Sequence, residues 1–384
     1  MTRHLYFRGH AAGLSNQRMS FEIGMVIAHL TDRVFVPYGF GVPWYPGSNG
    51  NARRGPNIAD LFDVPVPFRR DRLFDKTVYV PGALRCDWAP MFQSVLAFPD
   101  LDSADERELD EFSNGRQHRY GFGPEHAAAT DLHIDTKTLA AVAYFFFVEA
   151  GRRRTIAELV ARFRPRSEYR EVSAGIAARL GRFNAIHLRR SNFVAGSVTP
   201  RASSVTGAEI VRNIATHMDR RLPLLILTDG VPDDPVFAAI RSWPSEAVFL
   251  DEALRTGRFR DLLTHLRLRG PIARAVIAQL VATHAESFAG CLFSTFTATI
   301  HEWRGAAGRG TQFHFLFDEF VGKTVRFNGG RYLDVANGRY SWNRLRFPVS
   351  PHAHNWLCAW PEAVAPDATR RDGPPSKHTA ASPI

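Results

Sequence analysis

Three short segments of the chain carry side chains that suit binding of a charged ligand. The central segment, 186–193 (IHLRRSNF), places His187, Arg189 and Arg190 at the carboxyl end of an apolar run typical of a buried strand. Guanidinium groups bind phosphate oxygens bidentately, and ligands of open α/β sheets bind at the carboxyl ends of strands. The segment therefore predicts a diphosphate site, and a surface cluster of salt bridges is the alternative interpretation.

The first segment, 12–18 (AGLSNQR), lies between an apolar strand and a helical pattern. Gly13 lets a ligand approach the backbone, and the following helix N-terminus offers free amides with a positive dipole. Asn16 and Arg18 add side-chain donors, and Ser15 or Asn16 is expected to cap the helix. A capped helix that merely follows a glycine turn is the alternative.

The third segment, 290–297 (GCLFSTFT), leads into another helical pattern. Ser294 and Thr295 place hydroxyl groups and amides at that helix N-terminus, which predicts a second anion cradle. Taken alone, the same residues also fit an ordinary N-cap.

The elements that must position these segments alternate between strand and helix, and this alternation predicts an α/β fold. Two α/β domains that face each other across a cleft are the simplest architecture. The predicted strands are 5–7, 34–36, 185–188, 224–227 and 247–250, and a short apolar segment follows at 287–290. The predicted helices are 16–31, 137–149, 155–163, 168–181, 207–219, 235–241, 271–285 and 296–304.

The chain is predicted to have four regions. They are an N-terminal domain at 1–165, a C-terminal domain at 166–330, an extension at 331–361 and a disordered tail at 362–384.

Local composition also predicts a loop and a turn. The segment 38–67 is rich in glycine, proline and aromatic residues and is predicted to be a surface loop, and Asn-Gly-Gly at 328–330 predicts a hairpin turn.

Composition excludes several protein classes. Of 384 residues, 45% are hydrophobic and 22% are charged, which excludes wholesale disorder and coiled coils. The apolar run 139–148 has about half the length of a membrane span, so no transmembrane segment is expected. The start of the chain has no signal-peptide pattern, and its three cysteines include no C-x-x-C pair. These features predict a cytoplasmic protein without disulfides.

The charge balance invites a nucleic-acid interpretation, which the distribution of arginine weakens. The net charge is +10, from 48 basic and 38 acidic residues. The arginines are dispersed in twos and threes, without the basic stripe and interleaved aromatics of a single-strand binder. We therefore expect an anionic small molecule as partner and no nucleic acid.

Several familiar catalytic motifs are absent from the sequence. It contains no G-x-x-x-x-G-K-[ST], no G-x-G-x-x-G after a strand, no H-E-x-x-H and no G-x-S-x-G. His352, His354 and Cys358 lie near the C-terminus, where such residues are more often solvated than metal-bound. No metal site is predicted.

In their order along the chain, the three segments resemble the GDP-fucose O-fucosyltransferase family. Members of that family pair an N-terminal G-G-x-N-N-Q-R-like turn with a central H-x-R-R-x-D and a C-terminal S-[ST]-F before a helix. Matching residues continue at 19–23 after the first segment, and at 277–281 and 288–290 before the third. The resemblance spans residues 5–305. It implies a GT-B-like fold of two Rossmann-like domains, the N-terminal one on the acceptor side.

The resemblance also implies a function in carbohydrate metabolism. The implied activity is an inverting, metal-independent glycosyltransferase that moves fucose from GDP-fucose to a hydroxyl of a glycan, lipid, small molecule or protein, without a cofactor. Each site residue is implied by its place in a motif. Arg189 and Asn16 would be catalytic, Arg189 by holding the β-phosphate, and the substrate-binding residues would be Gly13, Leu14, His187, Arg190, Ser294, Thr295 and Phe296.

The chain departs from the family pattern at three positions. Asn192 and Ala278 stand where the family has aspartate, and Ala12 stands where some relatives have glutamate. An inverting enzyme needs a base for the acceptor proton, and Glu22 and Asp229 are the two candidates. A non-catalytic nucleotide-sugar or glycan-binding protein on the same scaffold is the alternative function.

Overall fold

A computed structural model of the protein describes residues 2–8, 14–38, 58–69, 83–87, 128–135, 158–159, 161–190, 206–215, 218–231, 233–264, 266, 270–291, 294–307, 309, 314–315, 324–325 and 333–334. The predicted helix at 137–149, the turn at 328–330, the tail at 362–384 and the histidine pair near the C-terminus lie outside these residues. None of the helices described is long and apolar enough to cross a membrane.

The N-terminal half contains a parallel sheet of four strands. The strands are β1 (His4–Arg8), β2 (Val34–Tyr38), β3 (Leu84–Asp87) and β4 (Asp131–Asp135). Helix α1 (Leu14–Leu30) connects β1 to β2, which pairs with β1. The order across the sheet is β2-β1-β4-β3, and every pair is parallel. β3 and β4 were not predicted from the sequence.

The C-terminal half contains a second parallel sheet, of five strands in the order β7-β6-β5-β8-β9. Its strands are β5 (Asn184–Leu188), β6 (Leu224–Thr228), β7 (Ala247–Phe249), β8 (Phe288–Gly290) and β9 (His314–Phe315). The chain builds outward from β5 to β7 and then returns to the other side of β5. Such a reversal between β5 and β8 is the topological switch point of a Rossmann-like sheet, and the predicted fold class is confirmed.

Helices connect the strands of the second sheet, and most of them begin and end close to the predicted residues. They are α2 (Ser167–Leu180), α3 (Gly207–Ile214), α4 (Val236–Arg241), α5 (Leu250–Thr256), α6 (Pro271–Thr283) and α7 (Thr295–Ala306). Thr206 caps α3 by accepting from the amide of Glu209 at 3.1 Å, and Pro271 starts α6, where a missing amide hydrogen costs nothing. The prediction that Leu250 ends a strand was wrong, because the chain turns into α5 at that residue.

The hydrophobic core shows that part of the predicted surface loop is buried. Residues 58–66 of that loop contain Ile58, Leu61 and Phe62, which are 1–2% exposed. The Phe62 ring stacks on Phe163 at a centroid distance of 4.9 Å. The glycine and proline content suggested a surface position, but the apolar side chains in between are buried against the core. The rest of the loop, at 39–57, lies outside the described residues.

Two further predictions are tested only in part. Within the predicted helix 155–163, the structure describes helical residues at 158–159 and 161–162. Near the predicted hairpin, β10 (Thr324–Val325) pairs antiparallel with β11 (Leu333–Asp334). The boundaries of the four regions stay predictions.

Candidate functional site

The central and third segments meet at the switch point of the C-terminal sheet. β5 and β8 are parallel neighbours, and His187 pairs in register with Gly290. Both strands end at or just beyond this pair. β5 continues into Arg189 and Arg190, and β8 leads toward α7. The crevice beyond the carboxyl ends at such a point is where ligands of doubly wound sheets bind.

Contacts between His187 and the first turn of α7 hold these two segments together. The His187 Nδ1 atom lies 2.8 Å from the Thr297 hydroxyl, and its ring lies 4.5 Å from the ring of Phe296. Gly290 makes this approach possible, because a Cβ atom there would lie 2.5 Å from Thr297 Oγ1. The side-chain hydrogen bond of Thr297 was not predicted, although the residue lies in the third segment.

The environment of His187 keeps its imidazole neutral. The residue is 5% exposed, and burial lowers the pKa of His187 to about 3. The charge of Asp229 opposes this lowering of the pKa, and the charge of Arg189 adds to it. At neutral pH His187 therefore acts as a hydrogen-bonding group and not as a cation beside a bound anion.

This pKa predicts how the stability of the protein depends on pH. An ordinary histidine pKa is 6.5, so between pH 6.5 and about 3 the unfolded chain binds a proton at His187 that the folded chain does not. The free energy of unfolding should fall on acidification through this window. The free energy of unfolding of a His187→Gln variant should fall less steeply, by up to about 1.4 kcal/mol per pH unit, as measured by urea titrations at several pH values.

The control for this experiment is His29→Gln, at an exposed position of α1. That variant should follow the pH dependence of the wild-type protein. If His187→Gln followed the wild-type curve as well, the neutral, buried state of His187 would be contradicted.

Arg189 presents its side chain at the carboxyl edge of the sheet. Its Nε lies 3.5 Å from Asp229 Oδ2, and both side chains are about 30% exposed. Cys291 fixes the backbone here, because its Sγ accepts from the Arg189 amide at 3.3 Å and donates to the His187 carbonyl at 3.5 Å. A partly exposed guanidinium on a fixed backbone can bind a diphosphate directly. This role of Cys291 was not predicted.

Arg190 lies on the other side of the chain, against Asp234. Its Nε and Nη2 donate to the two carboxylate oxygens of Asp234 at 2.7 and 3.2 Å, and its amide donates to Asp229 Oδ1 at 2.6 Å. Only 9% of Arg190 is exposed. The Arg190 guanidinium therefore forms a buried ion pair with Asp234. The predicted contact between Arg190 and the substrate stays a prediction.

The third segment forms a capped helix N-terminus. The Oγ atom of Ser294, a residue 2% exposed, accepts from the Thr297 amide at 3.5 Å and so caps α7. Thr295 is the first residue of α7, and its side chain lies outside the described part of the structure. This turn follows the carboxyl end of β8, the neighbour of the strand that leads to Arg189, and the free amides of a helix N-terminus favour an anion.

The first segment is joined to the third by Gln279 of α6, a residue that was not predicted to contribute to the site. Its Nε2 donates to Ser15 Oγ at 2.9 Å and to the Phe296 carbonyl at 3.3 Å. The prediction that Ser15 or Asn16 caps the helix is wrong, because α1 already begins at Leu14. The Ser15 hydroxyl accepts from Gln279 instead. The available signal was a polar amide among the apolar residues in the middle of a predicted amphipathic helix.

The remaining predicted residues of the first segment are only partly described. Leu14 is buried and begins α1. Asn16 lies in the first turn of α1 with its side chain outside the described part, and Gly13 lies outside the described residues. Of the three departures from the family pattern, Ala278 lies on α6, whereas Asn192 and Ala12 lie outside the described residues.

The two candidate bases have different surroundings. Glu22 is 3% exposed and forms a buried ion pair with Arg18, whose guanidinium lies 5.3 Å from the ring centroid of Trp303. Asp229 lies at the carboxyl edge beside Arg189. Of the two carboxylates, Asp229 is the one that is accessible to solvent. Within the described ranges, no group of three histidine, cysteine, aspartate or glutamate side chains could hold a metal ion.

Comparisons with known proteins find distant likeness to solved structures. No protein-family model matches the chain, and no curated protein matches it significantly. The NodZ α-1,6-fucosyltransferase of Bradyrhizobium, co-crystallised with GDP, is 16% identical, with a TM-score of 0.45 and coverage of 79% of this chain and 92% of NodZ.

Two other solved structures are similar to the same extent. POFUT1 in complex with GDP-fucose is 14% identical, with a TM-score of 0.45 over 82% of this chain and 97% of POFUT1. A variant of Arabidopsis thaliana FUT1 in complex with GDP is 10% identical, with a TM-score of 0.43 over 78% of this chain and 68% of FUT1. The chain is thus distantly similar in fold to solved fucosyltransferases.

Proposed function

We propose that the protein is an inverting, metal-independent glycosyltransferase that moves fucose from GDP-fucose to a hydroxyl acceptor. The observation that carries this proposal is the convergence of the three segments at one switch point. His187 joins the second segment to the third through Thr297, and Gln279 joins the first to the third through Ser15. The donor class is the one that the resemblance of these segments implies.

The proposed reaction requires stabilisation of a leaving diphosphate. The acceptor oxygen forms a bond to the anomeric carbon of fucose, the bond from that carbon to the β-phosphate oxygen breaks, and GDP leaves as the transition state gains oxocarbenium character. Arg189 and the first-turn amides of α7 would stabilise the growing negative charge from fixed positions. Neutral His187 would hold the first turn of α7 in place through Thr297.

The acceptor hydroxyl must also lose its proton as the new bond forms. Asp229 is the candidate base at the carboxyl edge, since Glu22 is buried in its pair with Arg18. The acceptor would approach from the side of the first segment, where α1 begins. The resemblance implies only that the acceptor carries a hydroxyl group, and a glycan, lipid, small molecule or protein would fit that description.

Nucleotide binding tests the donor site directly. GDP and GDP-fucose should raise the melting temperature of the protein in buffer containing EDTA, because the proposed charge stabilisation comes from Arg189 and helix amides. At 100 times its Kd, the nucleotide should stabilise the fold by about 2.7 kcal/mol. UDP serves as the matched control and should have a smaller effect. Stabilisation that vanished with EDTA would contradict metal independence.

A non-catalytic nucleotide-sugar-binding protein is the second candidate, because Ala278 stands where the family has a carboxylate. Both functions predict GDP binding. Only the enzyme predicts release of GDP from GDP-fucose, by transfer to an acceptor in cell extract or by slow hydrolysis. Binding without any turnover would favour the second candidate.

A further inference from the structure

Helices α1 and α7 run in the same direction along a shared seam. On α1, Ser15, Arg18 and Glu22 lie on one face, since helical residues three, four and seven apart are neighbours. At the start of α7, the Phe296 carbonyl is bridged to Ser15 by Gln279. Further along, Arg18 lies over the ring of Trp303. The two contacts occur in the same order on both helices, so the two N-termini lie at the same end.

Gln279 is the polar link at that end of the seam. It is fully buried, and its Nε2 contacts both Ser15 and the Phe296 carbonyl. Its Oε1 has no hydrogen-bond partner among the described residues. Burying an amide whose oxygen lacks a partner costs free energy that an apolar side chain of similar size would not cost. The residue therefore contributes more to the placement of the helices than to stability.

We propose that Gln279 is a positioning residue that sets the distance between the N-termini of α1 and α7, and thereby couples the acceptor side of the site to the donor side. This inference rests on the proposed function for its catalytic consequence. Gln279 need not touch substrate, because its hydrogen bonds fix the first turns of the two helices. Small misplacements of such groups can cost large factors in rate.

The test is a Gln279→Met variant, which keeps the length of the side chain and removes the amide. The nucleotide is held mainly by Arg189 and α7, and the start of α7 keeps its contacts with His187 and Ser294 in this variant. The Kd for GDP should therefore change by less than about twofold. Hydrolysis of GDP-fucose, which needs both helices in place, should slow about tenfold. Hydrogen exchange of the first-turn amides of α1 should become faster than in the wild-type protein.

Two further variants separate positioning from a general loss of stability. Ser15→Ala removes the partner without altering α6, and it should reproduce the split between GDP affinity and turnover even if Gln279→Met folds poorly. The double variant should be no slower than Gln279→Met alone, because that substitution already removes the contact with Ser15. The matched control is Thr283→Val on α6, whose hydroxyl donates to the Leu280 carbonyl in its own helix.

The outcomes distinguish this inference from the proposed function. Unchanged exchange at the start of α1 in both Gln279→Met and Ser15→Ala would overturn the positioning role, whether or not the wild-type protein binds GDP. Equal loss of GDP affinity and turnover would also overturn it. Failure of the wild-type protein to bind GDP would instead contradict the proposed function, while the exchange measurement would still decide whether Gln279 holds α1.

Discussion

Arg189→Ala should lower the turnover of GDP-fucose by about 10²–10³-fold while the protein stays folded. The guanidinium lies at the switch point on a backbone fixed by Cys291, and its contact with the β-phosphate would strengthen as GDP leaves. Arg189→Lys should restore little of this activity, because a point charge cannot replace a planar, bidentate donor. GDP release measured under single-turnover conditions, with a thermal melt for each variant, gives the comparison.

Arg220→Ala is the matched control for this prediction. Arg220 is exposed and precedes β6, so it lies at the amino end of the same sheet, opposite the proposed site. Its removal should change turnover by less than about twofold. Equal turnover in wild type and in folded Arg189→Ala would remove the main support for a diphosphate-sugar donor and would favour the binding-protein alternative.

Arg304→Met should destabilise the protein by about 3 kcal/mol, an effect on folding and not on chemistry. Arg304 is 5% exposed in the last turn of α7, and its guanidinium donates to backbone carbonyls at the end of α6, among them Ala285 at 2.6 Å and Glu286 at 3.2 Å. Burial lowers the pKa of Arg304 to about 10, with a further contribution from Arg309, so the group stays charged at neutral pH. The methionine variant leaves these carbonyls without their donor.

The control is Arg182→Met, which removes another arginine near the same turn. Its side chain is 71% exposed and pairs with Glu286 at 3.1 Å. Such an exposed pair contributes at most about 1 kcal/mol, so the urea midpoint should barely move. If both variants had the same midpoint, the capping role of Arg304 at the end of α6 would be refuted.

In the C-terminal half the sequence determined most of the alternation of strands and helices, although α5 and β9 were not predicted. There the strands are continuous apolar runs, such as Leu224–Thr228, and the helices have apolar residues at helical spacing, so local patterns suffice. The N-terminal sheet was predicted less completely. β3 (Leu84–Asp87) and β4 (Asp131–Asp135) carry charged residues among apolar ones and lack the continuous apolar pattern of a buried strand.

The sequence also identified the three segments of the candidate site, because arginines after a strand and hydroxyls before a helix are local features. Tertiary structure decided how those segments are joined. His187 meets Thr297 across 110 positions of the chain, and Gln279 meets Ser15 across 264. It likewise decided that Arg190 faces Asp234 whereas Arg189 stays at the edge. Neighbouring residues of one type differ in role because strand order and helix packing, which depend on distant residues, determine what each side chain contacts.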